Sequence, residues 1–271
     1  MTALIYPPGE VLFVRGVVSM ICVATVLTYA HQMSWLVGAL KPIVLLRATL
    51  DAIANTAFIL ALTHMRLADL LAVNLVSPLL LTMLMAFFFD EPVGWRRWTA
   101  ILVGLTGMLV IVRPTANSFS IWALVAFAAA VASALRDLTN SRIDTQVPTL
   151  AITFVSVIAV TSSGLILAFG IGEQWAWIEP KYLGFIGLAA LALSVSTPFG
   201  VSAFRNVDIS VVAPFRYTVL ISGAVAGYLV FNEVPDRWSL FGSSLIVGSG
   251  LYTLHRERVR HRDVSAKAAI Q

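Results

Sequence analysis

Charge is what this sequence has least of. Only 12% of its 271 residues are Asp, Glu, Lys or Arg, while 59% are apolar, against about a quarter charged in a soluble chain. So little polar surface cannot cover the core of a water-soluble fold, which excludes a disordered chain, a collagen-like chain and an ordinary soluble enzyme. Cysteine is nearly absent as well. Cys22 stands alone in an apolar run, which excludes an internal disulfide and a Cys-based metal site and leaves a packing role. The chain has no G-x-x-x-x-G-K-[ST], no H-E-x-x-H and no G-x-S-x-G, the motifs that cradle nucleotides, bind zinc or expose a nucleophilic serine. Neither a cofactor nor a metal is therefore expected. The net charge of +4 does not mark a nucleic-acid partner: five of the 18 basic residues (Arg256, Arg258, Arg260, Arg262 and Lys267) lie in the last sixteen positions and form a flank, not a binding face.

What the chain does contain is a series of apolar runs separated by charge, proline and glycine. A spanning helix needs roughly 20 mostly apolar residues to cross about 30 Å of hydrocarbon. Nine such runs occur, at Val11 to Tyr29, Ile43 to Thr63, Ala68 to Phe89, Trp98 to Val112, Ser120 to Leu135, Thr149 to Gly170, Tyr182 to Phe204, Ile209 to Phe231 and Trp238 to Leu254. Leu79 to Phe89 (LLLTMLMAFFF) is apolar all round, unlike the alternating segments of a β-barrel. The expected class is an all-α polytopic membrane protein embedded in a lipid bilayer, with nine transmembrane helices.

Lys and Arg are retained in cytoplasmic loops. One set of alternate loops, with the tail, holds Lys41, Arg47, Arg96, Arg97, Arg136, Arg142, Arg205 and the five tail bases, twelve in all. The other set holds Arg66, Arg113, Lys181 and Arg237. Twelve against four places the C-terminus inside the cell, and nine spans then place the N-terminus outside. Met1 to Glu10 (MTALIYPPGE) reads as an outer loop rather than a signal peptide. A helix that should lead into that loop is missing.

Sliding the chain along itself by 142 positions aligns Ala61–Glu91 with Ala203–Glu233 without a gap, ALTHMRLA facing AFRNVDIS and Glu91 facing Glu233. Apolar runs align with each other cheaply, but paired glutamates at one register argue against chance. Five spans separate the copies, and an odd number reverses direction across the membrane. The turn bearing Glu91 is then expected inside and that bearing Glu233 outside, an inverted-topology repeat. We expect a first repeat over 1–114 with four helices, a second over 115–254 with five, and a basic cytoplasmic tail over 255–271.

PPGEVLFVR (Pro7 to Arg15), the stretch from Ala68 to Pro114 and VVAPFRYTVL through SGLY (Val211 to Tyr252) resemble the EamA-type transporters of the drug/metabolite transporter superfamily, over nearly the whole chain. The resemblance implies a ten-helix carrier built from two inverted five-helix repeats, and a first helix ahead of the PPGE loop that this chain lacks, through a downstream start site or a loss. Amino acids, nucleoside-like metabolites and vitamins are the solutes the family implies.

A charge or amide inside a span is costly and therefore a functional candidate. Arg216 lies about seven residues into its helix, some 10 Å deep, beside Tyr217 and after Pro214. Guanidinium suits an anionic group of a solute, and Arg216 alternatively snorkels or pairs with a carboxylate. Arg15, five residues beyond Glu10, is a second candidate that can also reach the outer interface. Asp51 follows Arg47 by one helical turn and reads as a structural pair. Asn55, one turn further, and Asn74 and Ser77 beside Pro78 either bridge helices or line a solute's route. Pro78, Pro198 and Pro214 fall within spans. Ser194, Ser196, Thr197 and Gly200 around Pro198 make that helix the one expected to break, and freed backbone at such depth points to a wet cavity. The tryptophans near span ends are interfacial anchors. Glu91 and Glu233 belong to turn architecture, and Arg136 with Asp137 either gates or anchors the inner end of its span.

The function expected is a secondary active carrier of a small polar metabolite, alternating access between inverted halves. With no ATP-binding element the default coupling ion is a proton, and a second copy of the chain, as a homodimer, is an open partner. An alternative from another class is a non-transporting scaffold, or an acyltransferase-like enzyme in which His64 and Asp69 satisfy H-x-x-x-x-D.

Overall fold

A computed structural model describes residues 5–89, 94–113, 120–203, 205, 216–232, 234 and 236–268. Eleven helices of five residues or more lie within them: α1 (Pro8–Tyr29), α2 (Trp35–Ala39), α3 (Pro42–Leu62), α4 (Leu67–Asn74), α5 (Ser77–Phe89), α6 (Trp95–Val112), α7 (Ile121–Asn140), α8 (Thr149–Ile171), α9 (Pro180–Ala203), α10 (Thr218–Phe231) and α11 (Arg237–Ala268). No strand occurs among the described residues. Among the described residues seven helical segments, against the nine spans expected, are long and apolar enough to cross a bilayer, α4 and α5 counting together, while the apolar part of α10 (Thr218–Val230) is shorter. Pro8 and Pro42 open α1 and α3 at positions whose amide has no intrahelical partner. Gly172, with φ 69°, closes α8 in the left-handed conformation. Large apolar side chains face outward, Phe169 at 84% exposure and Ile166 at 72%, as helices surrounded by lipid rather than water require. The chain is a polytopic all-α membrane protein.

Three differences from the expected spans have physical causes. The run Ala68 to Phe89 is interrupted at Leu75–Val76, between α4 and α5, because Pro78 has no amide hydrogen to continue the ladder. By contrast α9 runs unbroken through Pro198 from Pro180 to Ala203, which corrects the expectation that this helix breaks. Ser194 donates to the Ala190 carbonyl at 2.7 Å and Thr197 to the Leu193 carbonyl at 2.7 Å, so the hydroxyls that suggested a wet break serve the helix itself. Pro214, Glu91 and Glu233 lie outside the described residues. The last helix continues from the expected span end at Leu254 to Ala268, since His255 to Ala268 holds no Gly or Pro to stop it.

The chain forms two compact units. The first comprises residues 1–64 and 131–206, hence α1, α2, α3, the C-terminal half of α7, α8 and α9. Its most extensive interface is between α1 and α8, which approach at glycine: a methyl on Gly9 would lie 2.8 Å from the Gly164 carbonyl oxygen, and one on Gly16 2.9 Å from Thr161 Cβ. The contacts 9 with 168, 13 with 164 and 16 with 161 show that the two helices run antiparallel. A second cluster of buried side chains, including Val44, Ala48, Ile152, Val155 and Val201, joins α3, α8 and α9.

The second unit comprises residues 65–130 and 207–271. Its main interface joins α6 and α11, again through glycine: a methyl on Gly107 would lie 2.7 Å from the Gly242 carbonyl oxygen and one on Gly104 2.7 Å from Ser249 Oγ. Small residues allow helix backbones to approach closely where lipid supplies no hydrophobic drive. The pairing follows the sequence repeat. Adding 142 to Tyr29, Phe89 and Trp95 gives Ile171, Phe231 and Arg237, the ends of α8 and α10 and the start of α11. The contacts Gly104 with Ser249 and Gly107 with Ile246 exchange under the same shift, with α6 and α11 antiparallel. Repeat-related helices therefore pack against each other head to tail inside each unit.

Candidate functional site

In the second unit the interruption between α4 and α5 has a repeat-related counterpart. Asn74 and Leu75, shifted by 142, fall on Arg216 and Tyr217, and the helical hydrogen bonding lapses at Tyr217 just before α10. Helices interrupted at repeat-related positions free backbone groups that a solute can take up. Ser77, 1% exposed, carries a hydroxyl without a hydrogen-bond partner among the described residues, and so does Tyr217, 6% exposed. The Tyr217 ring lies over Gly250 on α11, where any side chain would collide with its hydroxyl. Leu71 of α4 likewise covers Gly223 of α10. Arg216 and Asn74 are half-buried beside these hydroxyls in sequence. Four of the six residues singled out in the sequence thus sit on the two interruptions.

The remaining two, Arg15 and Asn55, belong to the first unit and meet there: Arg15 donates to Asn55 Oδ1 at 3.4 Å. Asn55 in turn donates to the backbone carbonyl of Asp51 at 3.0 Å and to its carboxylate at 3.3 Å. Asp51 accepts Arg136 at 2.9 Å, closer than its helical neighbour Arg47 at 3.7 Å. Arg136 also donates twice to Asp137, at 3.0 and 2.9 Å. Arg47 donates to Asn140 at 3.0 Å and to the hydroxyl of Ser156, and Asn140 donates to the Val201 carbonyl at 2.9 Å. Arg47, Asp51, Asp137, Asn140 and Ser156 are all buried. In sequence Arg47 and Asp51 read as a structural pair, and Arg136 with Asp137 as a gate or an anchor at the inner end of a span. The missed signal was periodic: Arg47, Asp51 and Asn55 form one face of α3, and Arg136 with Asn140 one face of α7.

At an end of the second unit four charges close together. Arg66 donates to Asp69 at 2.7 Å and to Asp236 at 3.4 Å, and Arg113 also donates to Asp236. Asp236 accepts the Ser239 amide at 2.8 Å, capping α11. That amide and the Arg113 guanidinium hold the Asp236 carboxyl well below the usual carboxylate range. Asp69 thus answers to Arg66, while His64 Nδ1 lies 2.7 Å from Thr63 Oγ1.

No family model matches the chain. Curated relatives do. It is 29% identical to the S-adenosylmethionine uptake transporter of Rickettsia conorii over 79% of this chain and 72% of that one. It is 28% identical to the riboflavin transporter of Rhizobium johnstonii (80% and 72% covered) and 26% identical to the pseudopaline exporter of Pseudomonas aeruginosa (89% and 84% covered). A solved crystal structure 19% identical shares the fold, with a TM-score of 0.62 over 93% of this chain and 89% of the other. The relatives are named as transporters and not as enzymes, and the acyltransferase-like alternative falls with that. This chain, a multi-pass membrane protein, is thus similar to named transporters of small metabolites and not to enzymes.

Proposed function

We propose that the chain is a secondary carrier in a bacterial inner membrane, with its C-terminal tail cytoplasmic, that moves a small polar metabolite by alternating access between its inverted repeats. A proton is the coupling ion of this reading. The observation that carries it is the pair of repeat-related interruptions, with Asn74 and Ser77 at one and Arg216 and Tyr217 at the other. Buried hydroxyls without a partner are costly unless something completes them, and a polar solute does so. Arg216 adds a flat, two-point donor for an anionic group. Named relatives include both an uptake transporter and an exporter, so likeness supports transport without a direction.

Labelled-solute flux into vesicles carrying the reconstituted protein tests the reading. Arg216→Ala is expected to abolish flux while the protein still inserts and folds. Arg216→Lys is expected to be poor, because an ammonium cannot reproduce the bidentate contact. Full flux in Arg216→Ala removes that residue from the site, and absence of flux for every class of metabolite removes the carrier.

A further inference from the structure

Among the described residues the network in the first unit holds more guanidinium groups than carboxylates. Three guanidinium groups, Arg15, Arg47 and Arg136, share two carboxylates, Asp51 and Asp137. Both carboxylates are taken up by the inner pair: Arg136 contacts each, and Arg47 has Asp51, Asn140 and Ser156. Arg15 has, among the described residues, one hydrogen bond, to a neutral amide oxygen at the long distance of 3.4 Å. A guanidinium carries five donors, so most of its capacity is unused. It stands seven residues beyond Pro8 in α1, about 10 Å into the helix, where charge is costly, and the carboxylate whose charge reaches it, Asp51, is shared with Arg47 and Arg136. The bond to Asn55 also fixes its direction, toward α3 within the unit. Asn55 is itself aimed by its two bonds to Asp51.

We infer that Arg15 binds an anionic oxygen group of the solute, a carboxylate above all, with Asn55 and Asp51 as the residues that position it. That the ligand is a solute rests on the carrier reading above. An ion pair here completes the donors that Asn55 leaves open and neutralises the surplus cation, and a neutral solute would do neither.

Arginine-specific modification by phenylglyoxal, read residue by residue by mass spectrometry on the purified full chain, tests the site without any need for flux. Arg15 is expected to react about tenfold faster than Arg47 and Arg136, whose donors are engaged. Acetate is expected to slow that reaction, and acetamide at matched ionic strength to leave it unchanged. Equal reactivity of the three arginines overturns the inference, as does a failure of acetate to protect. Arg15 reactive in detergent but shielded in lipid nanodiscs, with no effect of acetate in either, assigns the anion to a lipid phosphate and also overturns it.

Flux then separates this inference from the carrier reading. With S-adenosylmethionine and its decarboxylated form as probes, Arg15→Gln is expected to lower flux of the first about tenfold and to spare the second. An equal loss of both counts against a carboxylate contact while leaving transport standing. Acetate protection in a protein that moves neither probe sustains the Arg15 site and counts against carriage of those solutes.

Discussion

The membrane-crossing helices of the two compact units treat their polar atoms differently. In the first, Arg47, Asp51, Arg136, Asp137, Asn140 and Ser156 complete one another deep among three helices. In the second, the helices are interrupted and Ser77 and Tyr217 hold buried hydroxyls with no partner among the described residues. A completed network of charges resists rearrangement, since each group lost strands another in low dielectric. Incomplete polar atoms beside broken backbone are suited to receive a ligand. One unit therefore concentrates its polar residues on structure, with Arg15 as the member left open, and the other on available contacts.

Breaking the first side of that comparison has the largest expected effect. Asp51→Ala leaves Arg47 and Arg136 facing each other without their shared carboxylate, at a cost of about 3–5 kcal/mol. Thermal unfolding of the detergent-purified protein should show the loss, and an unchanged midpoint would mean that the network is not structural. Next comes Gly107→Leu, which drives a side chain into the Gly242 backbone and should cost about 1–3 kcal/mol or more by overpacking. The exposed Gly94→Leu, with open space around it, is the matched control.

Removing the incomplete hydroxyls sharpens the second side. Tyr217→Phe and Ser77→Ala delete groups with no partner among the described residues, so stability should hold within about 0.5 kcal/mol or rise slightly. Flux should nevertheless fall about tenfold if those hydroxyls meet a solute. A variant with unchanged stability and unchanged flux would assign its hydroxyl to neither task.

The smallest effect belongs to Asp236. Its folded carboxyl lies below the unfolded value of about 3.9, through the Ser239 amide first and then Arg113. The stability this contributes is present in full above about pH 4 and is lost as pH falls through the folded value. The wild type should exceed Asp236→Asn by about 1 kcal/mol or less, a half-exposed cap and ion pair being worth no more. That difference should stay level from pH 7 to about pH 4 and shrink below it. A difference that changes between pH 5 and 7 would assign the effect to another group.

Much of the fold was legible in the chain. Span positions came from apolar length, and the repeat from one register. The shift of 142 found between Ala61 and Glu91 extends in the structure to α1 with α8 and α6 with α11. Pro78 and Pro198 look alike in sequence, yet one accompanies a break and the other sits inside an unbroken helix. A proline removes a single bond, and whether the helix opens there depends on what the neighbouring groups can do with the freed carbonyl.

The polytopic all-α class follows from the sequence alone, because it depends on a local sum, the transfer free energy along about 20 residues. Which polar residues answer one another was decided only by the tertiary structure. Arg136 reaches Asp51 across 85 positions and Arg47 reaches Ser156 across 109. A contact at that separation is set by how glycine lets α1 approach α8 and by the direction in which α3 and α7 present their polar faces, and no local pattern carries that information.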